Sequence, residues 1–359
     1  MYDVITIGSA TRDVFLRSKA LETHTATHSP TGVEVCLPLG SKVSVDEIHF
    51  TTGGGATNAA VTFSRLGRRR VATVCRVGAN DTGGQAVLAD LRRERVDAGF
   101  VQHDQKLHTG YSIILLSGSG ERTILVHRGA SEGLAASEIP WAKLKTRWFS
   151  ITSLGGDLAL FKKILNHAER IGARVAWNPG GGEIRRGWKA IAPLASRCTV
   201  FNVNREEAAA LTKLDPKRLK EIIAALGGAS AACEDCGPSC DACEAMTAAT
   251  GPYLLLTDGS GGAYVHTGGT TWHIASRNLN AVNTTGAGDA FGSAFVLGLH
   301  RISNFKFQIS NSIGYALDYA LRLAMANAEG VIMHMGAKAG ILSKIPSRAA
   351  LAKYRVKEM

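Results

Sequence analysis

From about residue 148 onward, short apolar runs alternate with longer amphipathic ones. Strand-like runs lie near 148–152, 174–177, 199–202, 253–257 and 263–266, and helix-like runs near 157–171, 205–211, 216–226, 288–300 and 312–328. Parallel strands cannot be joined by a tight turn. They need a crossover of a dozen or more residues, usually a helix. The alternation therefore predicts an α/β fold with a mostly parallel sheet flanked by helices. Upstream, residues 4–8 (VITIG) read as a first buried strand, 57–66 as a helix, 71–77 as a strand and 83–95 as a helix. Residues 17–50 are poorly periodic. Residues 111–116 and 122–127 read as a hairpin around Ser117-Gly118-Ser119-Gly120. We expect one domain over 1–345, with a small β lid built from 12–50 and 100–128. A Cys-rich insertion at 230–250 and a basic C-terminal tail at 346–359 complete it.

The 359 residues can bury a large core. No apolar run approaches the roughly 20 residues that span a bilayer. The N-terminus lacks the basic and long apolar regions of a signal peptide. A cytoplasmic protein with no membrane partner is expected. The net charge of +11 admits nucleic acid or an anionic small molecule. The densest basic groups, Arg68-Arg69-Arg70 and Arg92-Arg93-Glu94-Arg95, have no interleaved aromatic residues to stack bases. They read as solvated surface, and no nucleic-acid partner is expected. Cys36, Cys75 and Cys198 read as reduced core thiols. The eleven histidines form no ligand spacing.

The segment richest in chemistry is Asn283-Thr284-Thr285-Gly286-Ala287-Gly288-Asp289-Ala290-Phe291, a loop of small residues that opens an apolar helix. Unpaired N–H groups of Gly286, Ala287 and Gly288 at the helix start would bind an anion. Asp289 adds a carboxylate beside that pocket. Donors for a transferring phosphoryl group and a base for a hydroxyl proton are what phosphoryl transfer needs. A glycine loop with a helix-favouring acid explains the segment equally well. A second segment, Gly53-Gly54-Gly55-Ala56-Thr57-Asn58, also opens a helix. Its glycines allow close backbone approach, and Asn58 offers a donor and an acceptor to a polyol. It fits neither a P-loop nor a dinucleotide fingerprint.

These two segments, in this order, resemble the signature motifs of the ribokinase-like (PfkB) carbohydrate and nucleoside kinases. Gly8 followed by Asp13 resembles the family's first strand and substrate-binding aspartate. Asn204-Arg205-Glu206-Glu207 resembles its N-x-x-E motif. Thr257-Asp258-Gly259-Ser260-Gly261-Gly262 resembles its nucleotide-holding loop, and Asn327 with Gly336-Ala337 its segment near the adenine. The resemblance spans residues 3 to about 340. It implies a ribokinase-like fold with a small β lid, and ATP-dependent transfer of the γ-phosphate to a sugar hydroxyl. A nucleoside acceptor is the close alternative, and a non-catalytic ligand sensor a more distant one. Asp289 is implied as the base, with Gly286, Ala287 and Gly288 as the anion hole. Asp13, Gly53, Gly54 and Asn58 are implied to bind substrate, and Arg128 is read as reaching substrate or phosphate from the lid. Asn204, Thr257, Gly259, Ser260, Gly262 and Asn327 are implied at the nucleotide. Glu207 is implied to hold Mg²⁺ through water, as a single carboxylate suits an ion that keeps most of its waters. Lids of this family often mediate dimers, so a homodimer is expected by analogy.

Two features depart from the pattern. Asn283 stands where the family often has Asp, in a loop that cation-activated members use for a monovalent ion, so K⁺ dependence is in doubt. The insertion carries Cys233-x2-Cys236-x3-Cys240-x2-Cys243. Four thiolates so spaced could wrap a tetrahedral structural Zn²⁺. An iron–sulfur cluster, free thiols and disulfides are the alternatives.

Overall fold

A computed structural model of the chain describes residues 1–21, 23–26, 32–37, 39–116, 122–227, 253–277, 279–303 and 312–359, with the backbone alone at 301–303 and 312–313. The four clustered cysteines, Cys233, Cys236, Cys240 and Cys243, lie outside the described residues, as does the turn at 117–120.

Among the described residues the central sheet has nine strands. In spatial order they are Val356–Glu358, Thr270–Ile274, Ala263–Thr267, Tyr253–Thr257, Val200–Asn204, Arg174–Trp177, Thr146–Ile151, Tyr2–Ile7 and Val71–Val74. From Tyr253–Thr257 to Val71–Val74 every pairing is parallel, and the three strands at the other edge are antiparallel. Both faces are covered, so the parallel strands are apolar on both sides. Successive residues feed opposite cores. Val4, Trp148 and Leu255 join the helices Gly55–Arg65, Ala287–Ser303 and Ser312–Ile332. Ile5, Phe149 and Leu254 join Leu158–Ile171, Trp188–Ala195, Arg205–Thr212 and Leu219–Gly227. Each such side chain stabilises by about 1.5–3 kcal/mol. The helix boundaries follow local chemistry. The Asp157 side chain accepts from Leu160 N at 2.8 Å to start Leu158–Ile171, and Gly172 ends it at φ 69°.

A second sheet of four strands takes Arg122–His127, Gly110–Leu116, Thr11–Arg17 and Glu47–Gly53 in that order. It is the small β structure expected from 12–50 and 100–128. Two expectations are corrected. Residues 346–359 are not a tail. Arg348–Ala352 is a helix, Val356–Glu358 is the ninth strand, and Leu351 and Tyr354 are buried. The strand Val-Lys-Glu is too short and polar for its alternation to register. Cys36 is exposed, whereas Cys75 and Cys198 are core thiols. Among the described residues, no helix is long and apolar enough to cross a membrane.

Candidate active site

Ligands of open α/β sheets sit at the carboxyl ends of the parallel strands. Gly8, Thr152, Asn178, Asn204 and Thr257 mark those ends, and the loop before Ala287–Ser303 comes down beside them. Asp289, in the first turn of that helix, is partly open to the cleft and otherwise enclosed. Its Oδ2 accepts from Asn58 Nδ2 at 2.9 Å. A carboxylate only accepts, so the Asn58 amide is oriented with its NH₂ on Asp289. Its Oδ1 is then left buried without a partner among the described residues. Burial pushes the Asp289 carboxyl above its usual range; Asn58 and the Lys338 charge pull it down, and Asp13 pushes it up. Behind Asp289, a mostly apolar cavity of about 20 Å³ touches Thr152, Trp177 and Asn202, which is room for one water.

Asp13 lies on the same side of the cleft. It is 4 % exposed, and its Oδ1 accepts from Thr11 Oγ1 at 2.8 Å. Burial raises its pKa, while Thr11, Ser112 and the charges of Lys338 and Arg12 oppose that. The glycine triplet is explained by this packing. A Cβ on Gly53 would lie 2.0 Å from Asp13 Oδ2, and one on Gly54 (φ +93°) would meet Ser9 O at 2.5 Å. Glycine is needed because the helix start presses on the Asp13 strand and the loop after strand Tyr2–Ile7.

In the anion loop, Gly286 has φ +80°, and a Cβ there would strike the Ala337 side chain at 2.4 Å. A Cβ on Gly288 would meet nothing within 4 Å, so there is open space beside that residue. Ala287 N–H is turned inward to Thr284 O at 3.3 Å, which leaves Gly286 and Gly288 as the better placed donors. Asn283 is buried, and its Oδ1 accepts from Thr285 N at 3.1 Å and Oγ1 at 2.9 Å. A backbone N–H can only donate, so the free end of Asn283 is Nδ2, a buried donor without a partner among the described residues. An N–H donor cannot ligate a cation, and this side chain does not fit a monovalent ion.

Asn204 and Glu207 form a capping box. Asn204 Oδ1 accepts from Glu207 N at 2.8 Å and Glu207 Oε2 from Asn204 N at 2.9 Å. Burial, with Asp289 and Glu206 nearby, raises the Glu207 pKa, and the Asn204 N–H bond lowers it. Asp289, Asp13 and Glu207 thus crowd negative charge that a divalent cation would offset. Among the described residues no three His, Cys, Asp or Glu side chains gather into a metal site, so Glu207 stands as a lone carboxylate in this respect. Asn204 pairs in register with Thr257. Arg205 grips both Asp258 oxygens at 3.0 Å, tying the capping box to the 258–262 loop. In that loop Gly259 (φ +50°) faces open space, Ser260 is exposed, and Gly262 (φ +95°) packs on Ile274 O.

Two sequence expectations fall elsewhere. Asn327 is fully buried, with Nδ2 on Ala290 O at 3.0 Å and Oδ1 on Leu342 N at 3.0 Å. It joins helices and is closed to a nucleotide. Arg128 is exposed and pairs with Glu132 at 3.4 Å. Two residues were missed. Lys338 is 6 % exposed, and its Nζ bonds Thr52 Oγ1 and Asp90 Oδ2, each at 2.9 Å. Its one sequence signal was a lysine inside Gly336-Ala337-Lys338-Ala339-Gly340. The other is Arg122, whose guanidinium bonds Thr284 Oγ1.

A doubly covered parallel sheet, a side sheet over its carboxyl edge and an anion-type loop feeding a buried carboxylate together define a small-molecule kinase. Residues 3–344 match the pfkB family of carbohydrate kinases. The chain belongs to that family. It is 25 % identical over 308 residues to ribokinase of Schizosaccharomyces pombe, covering 82 % of this chain and 84 % of that one. Its fold is similar to that of ribokinase from Giardia lamblia (TM-score 0.76, 20 % identity, covering 98 % and 99 % of the two chains). It is also similar to a Burkholderia thailandensis nucleoside kinase in complex with inosine (TM-score 0.67, 17 % identity, covering 97 % and 94 %). The fold class expected from sequence is the fold observed.

Proposed function

We propose that this kinase transfers the γ-phosphate of ATP to a hydroxyl of a sugar, with Asp289 as the base. The Asn58–Asp289 pair carries the reading. Asn58 pins the carboxylate with its NH₂ and leaves an acceptor, Oδ1, beside it. A polyol that donates one hydroxyl to Asn58 Oδ1 and another to Asp13 presents a third to Asp289. Asp289 takes the proton of the attacking hydroxyl. The N–H groups of Gly286 and Gly288 and the dipole of Ala287–Ser303 meet the charge on the transferring group. Kinases of this type generally use ATP and Mg²⁺. Glu207 is the residue to hold the ion through water, where it would neutralise charge on the phosphates. No step runs through a monovalent cation.

A nucleoside acceptor is the second reading. Val126 stands across the strands from Ser112, which stands across from Asp13, so all three share one face. Val126 is 47 % and Ile124 40 % exposed on that face, an apolar platform a nucleobase could use. The opposite face exposes Ile48, Phe50 and Leu125, which we read as a homodimer contact. An ADP-release assay with ATP and Mg²⁺ against pentoses, hexoses, sugar phosphates and nucleosides tests the function. Turnover with a free sugar supports the first reading, and turnover with nucleosides alone selects the second. ATP binding with no acceptor turned over contradicts both.

A further inference from the structure

The turn at 336–340 touches three elements of the site. The Ala337 side chain fills the place that a Cβ on Gly286 would need, so it lies against the glycine loop before Asp289. A Cβ on Gly336 (φ +88°) would come within 2.9 Å of Thr51, which stands in register with Asp13. Lys338 O accepts from Arg65 Nη1 at 2.9 Å, at the end of the helix that carries Asn58. The Lys338 ammonium donates to Thr52 Oγ1 and Asp90 Oδ2, each at 2.9 Å. Thr52 leads directly into Gly53, the residue pressed on Asp13.

We propose that Lys338 is a positioning residue for phosphoryl transfer: held by Thr52 and Asp90, it is the fixed cation shared by Asp13, which takes the acceptor, and Asp289, which takes the proton. The inference rests on the phosphoryl-transfer reading above. At 6 % exposure, Lys338 is the one buried lysine or arginine among the described residues. A buried ammonium is costly to desolvate, and one aspartate would suffice to pair it. Asp90 does not serve Lys338 alone. Its Oδ1 takes the Arg93 guanidinium, and Arg93 and Arg65 both bond Glu94. Three cations thus meet two carboxylates, and one positive charge is left over beneath the site. Asp13 and Asp289 are the acids that feel it. The Lys338 charge favours the ionised form of each, against the burial of both and the push of Asp13 on Asp289.

The other groups that face the two acids do not replace it. Arg12, partly open to water over the Phe50 ring, favours ionised Asp13 but does not act on Asp289. Thr11 and Ser112 hydrogen-bond Asp13, and Asn58 hydrogen-bonds Asp289, without bringing charge. Glu207 is itself an acid, and its carboxyl is pushed up by Asp289. Cys75, near Lys338, is a buried thiol pushed up to about 12, so it is neutral. Without Lys338, the two carboxyls would keep a proton to higher pH. A proton on Asp13 removes a charged acceptor from the substrate hydroxyl, and one on Asp289 removes the base.

The test compares Lys338→Met, Asp90→Asn and the double variant with the wild type. Urea titration reads folding, ATP affinity reads the donor side, and pH profiles of kcat and acceptor KM read the two acids. Each single variant should be less stable, because each strands a buried partner, and the double variant should regain most of the loss. Activity should not follow stability. In Lys338→Met and in the double variant, kcat/KM at neutral pH should fall by about tenfold, the size of one hydrogen bond to a charged group, with ATP affinity kept. Acceptor KM should rise and kcat should drop. The deficit should fade as pH rises, because both acids then ionise without help. Asp90→Asn keeps the ammonium, so its acid limb should not move up, however unstable the variant is. If kcat/KM recovered with stability in the double variant, Lys338 would be only the partner of Asp90 and the proposal would be wrong. A deficit of equal size at every pH, or an acid limb raised as far in Asp90→Asn, would also overturn it and leave the kinase reading intact. A wild type that turned over no acceptor would overturn both.

Discussion

At the residue scale, the site is governed by how four side chains set the protonation of one another. Asp289 is pushed up by burial and by Asp13 and held down by Asn58 and Lys338. A base must be ionised to work. The acid limb of kcat/KM should therefore lie above the ordinary carboxylate range of about 4. In Asn58→Leu the hydrogen bond to the ionised form is gone, and the limb should move to higher pH; a limb at or below the wild-type position would argue against the pairing. Asn283 gives a separate prediction. Wild-type activity should be the same in potassium chloride and choline chloride at equal ionic strength. Asn283→Asp replaces the orphaned donor with an oxygen and should introduce stimulation by potassium, seen also as a potassium-dependent rise in Tm. Motif spacing made Asp289, Asn58 and Glu207 legible because each sits at a fixed offset from a helix start, and Asp13 because it follows the first strand and Gly8. Lys338 and Arg122 were not, since one reaches its place through a buried side chain and the other through strand register.

At the element scale, three segments meet under the site: the end of helix Gly55–Arg65, the end of Thr82–Arg93 and the 336–340 turn. Arg65 binds Glu94 at 2.5 and 2.6 Å and Lys338 O at 2.9 Å, while Lys338 binds Asp90. Burial opposes ionisation of Asp90 and Glu94, but Lys338 and Arg65 outweigh it, and both carboxyls are held below their usual range. A depressed carboxyl contributes stability that is present above its unfolded pKa of about 4 and is lost as pH falls through the folded value. Asp90→Asn should strand Lys338 and cost about 3–5 kcal/mol at neutral pH, with a shallower loss of stability on acidification than the wild type. Urea titrations at neutral and acid pH read both. The strands of the central sheet were legible because burial on both faces makes them continuous apolar runs. The strand Val356–Glu358 was not, since an edge strand of three residues needs little apolar character.

At the scale of the whole molecule, a two-sided sheet carries Asp289 and its glycine loop, and a thin side sheet carries Asp13 and Arg122. The side sheet has one face that carries Asp13 and another that leaves Ile48, Phe50 and Leu125 exposed. If two copies cover those faces, Phe50→Asp should convert a dimer to a monomer in size-exclusion chromatography with light scattering, and a wild-type monomer would refute that role. Fold class was legible from alternation alone, because parallel connection forces it. Closure across the cleft was not, because it depends on which face of a strand points inward.

The central claim is that Asp289 removes the proton from the attacking hydroxyl. The most direct measurement is single-turnover phosphoryl transfer by Asp289→Asn with the best acceptor, alongside ATP affinity. General bases contribute about 10²–10⁴-fold, so the variant should bind ATP as the wild type does and transfer the phosphoryl group slower by about that factor. Transfer at the wild-type rate with ATP binding unchanged would contradict the account.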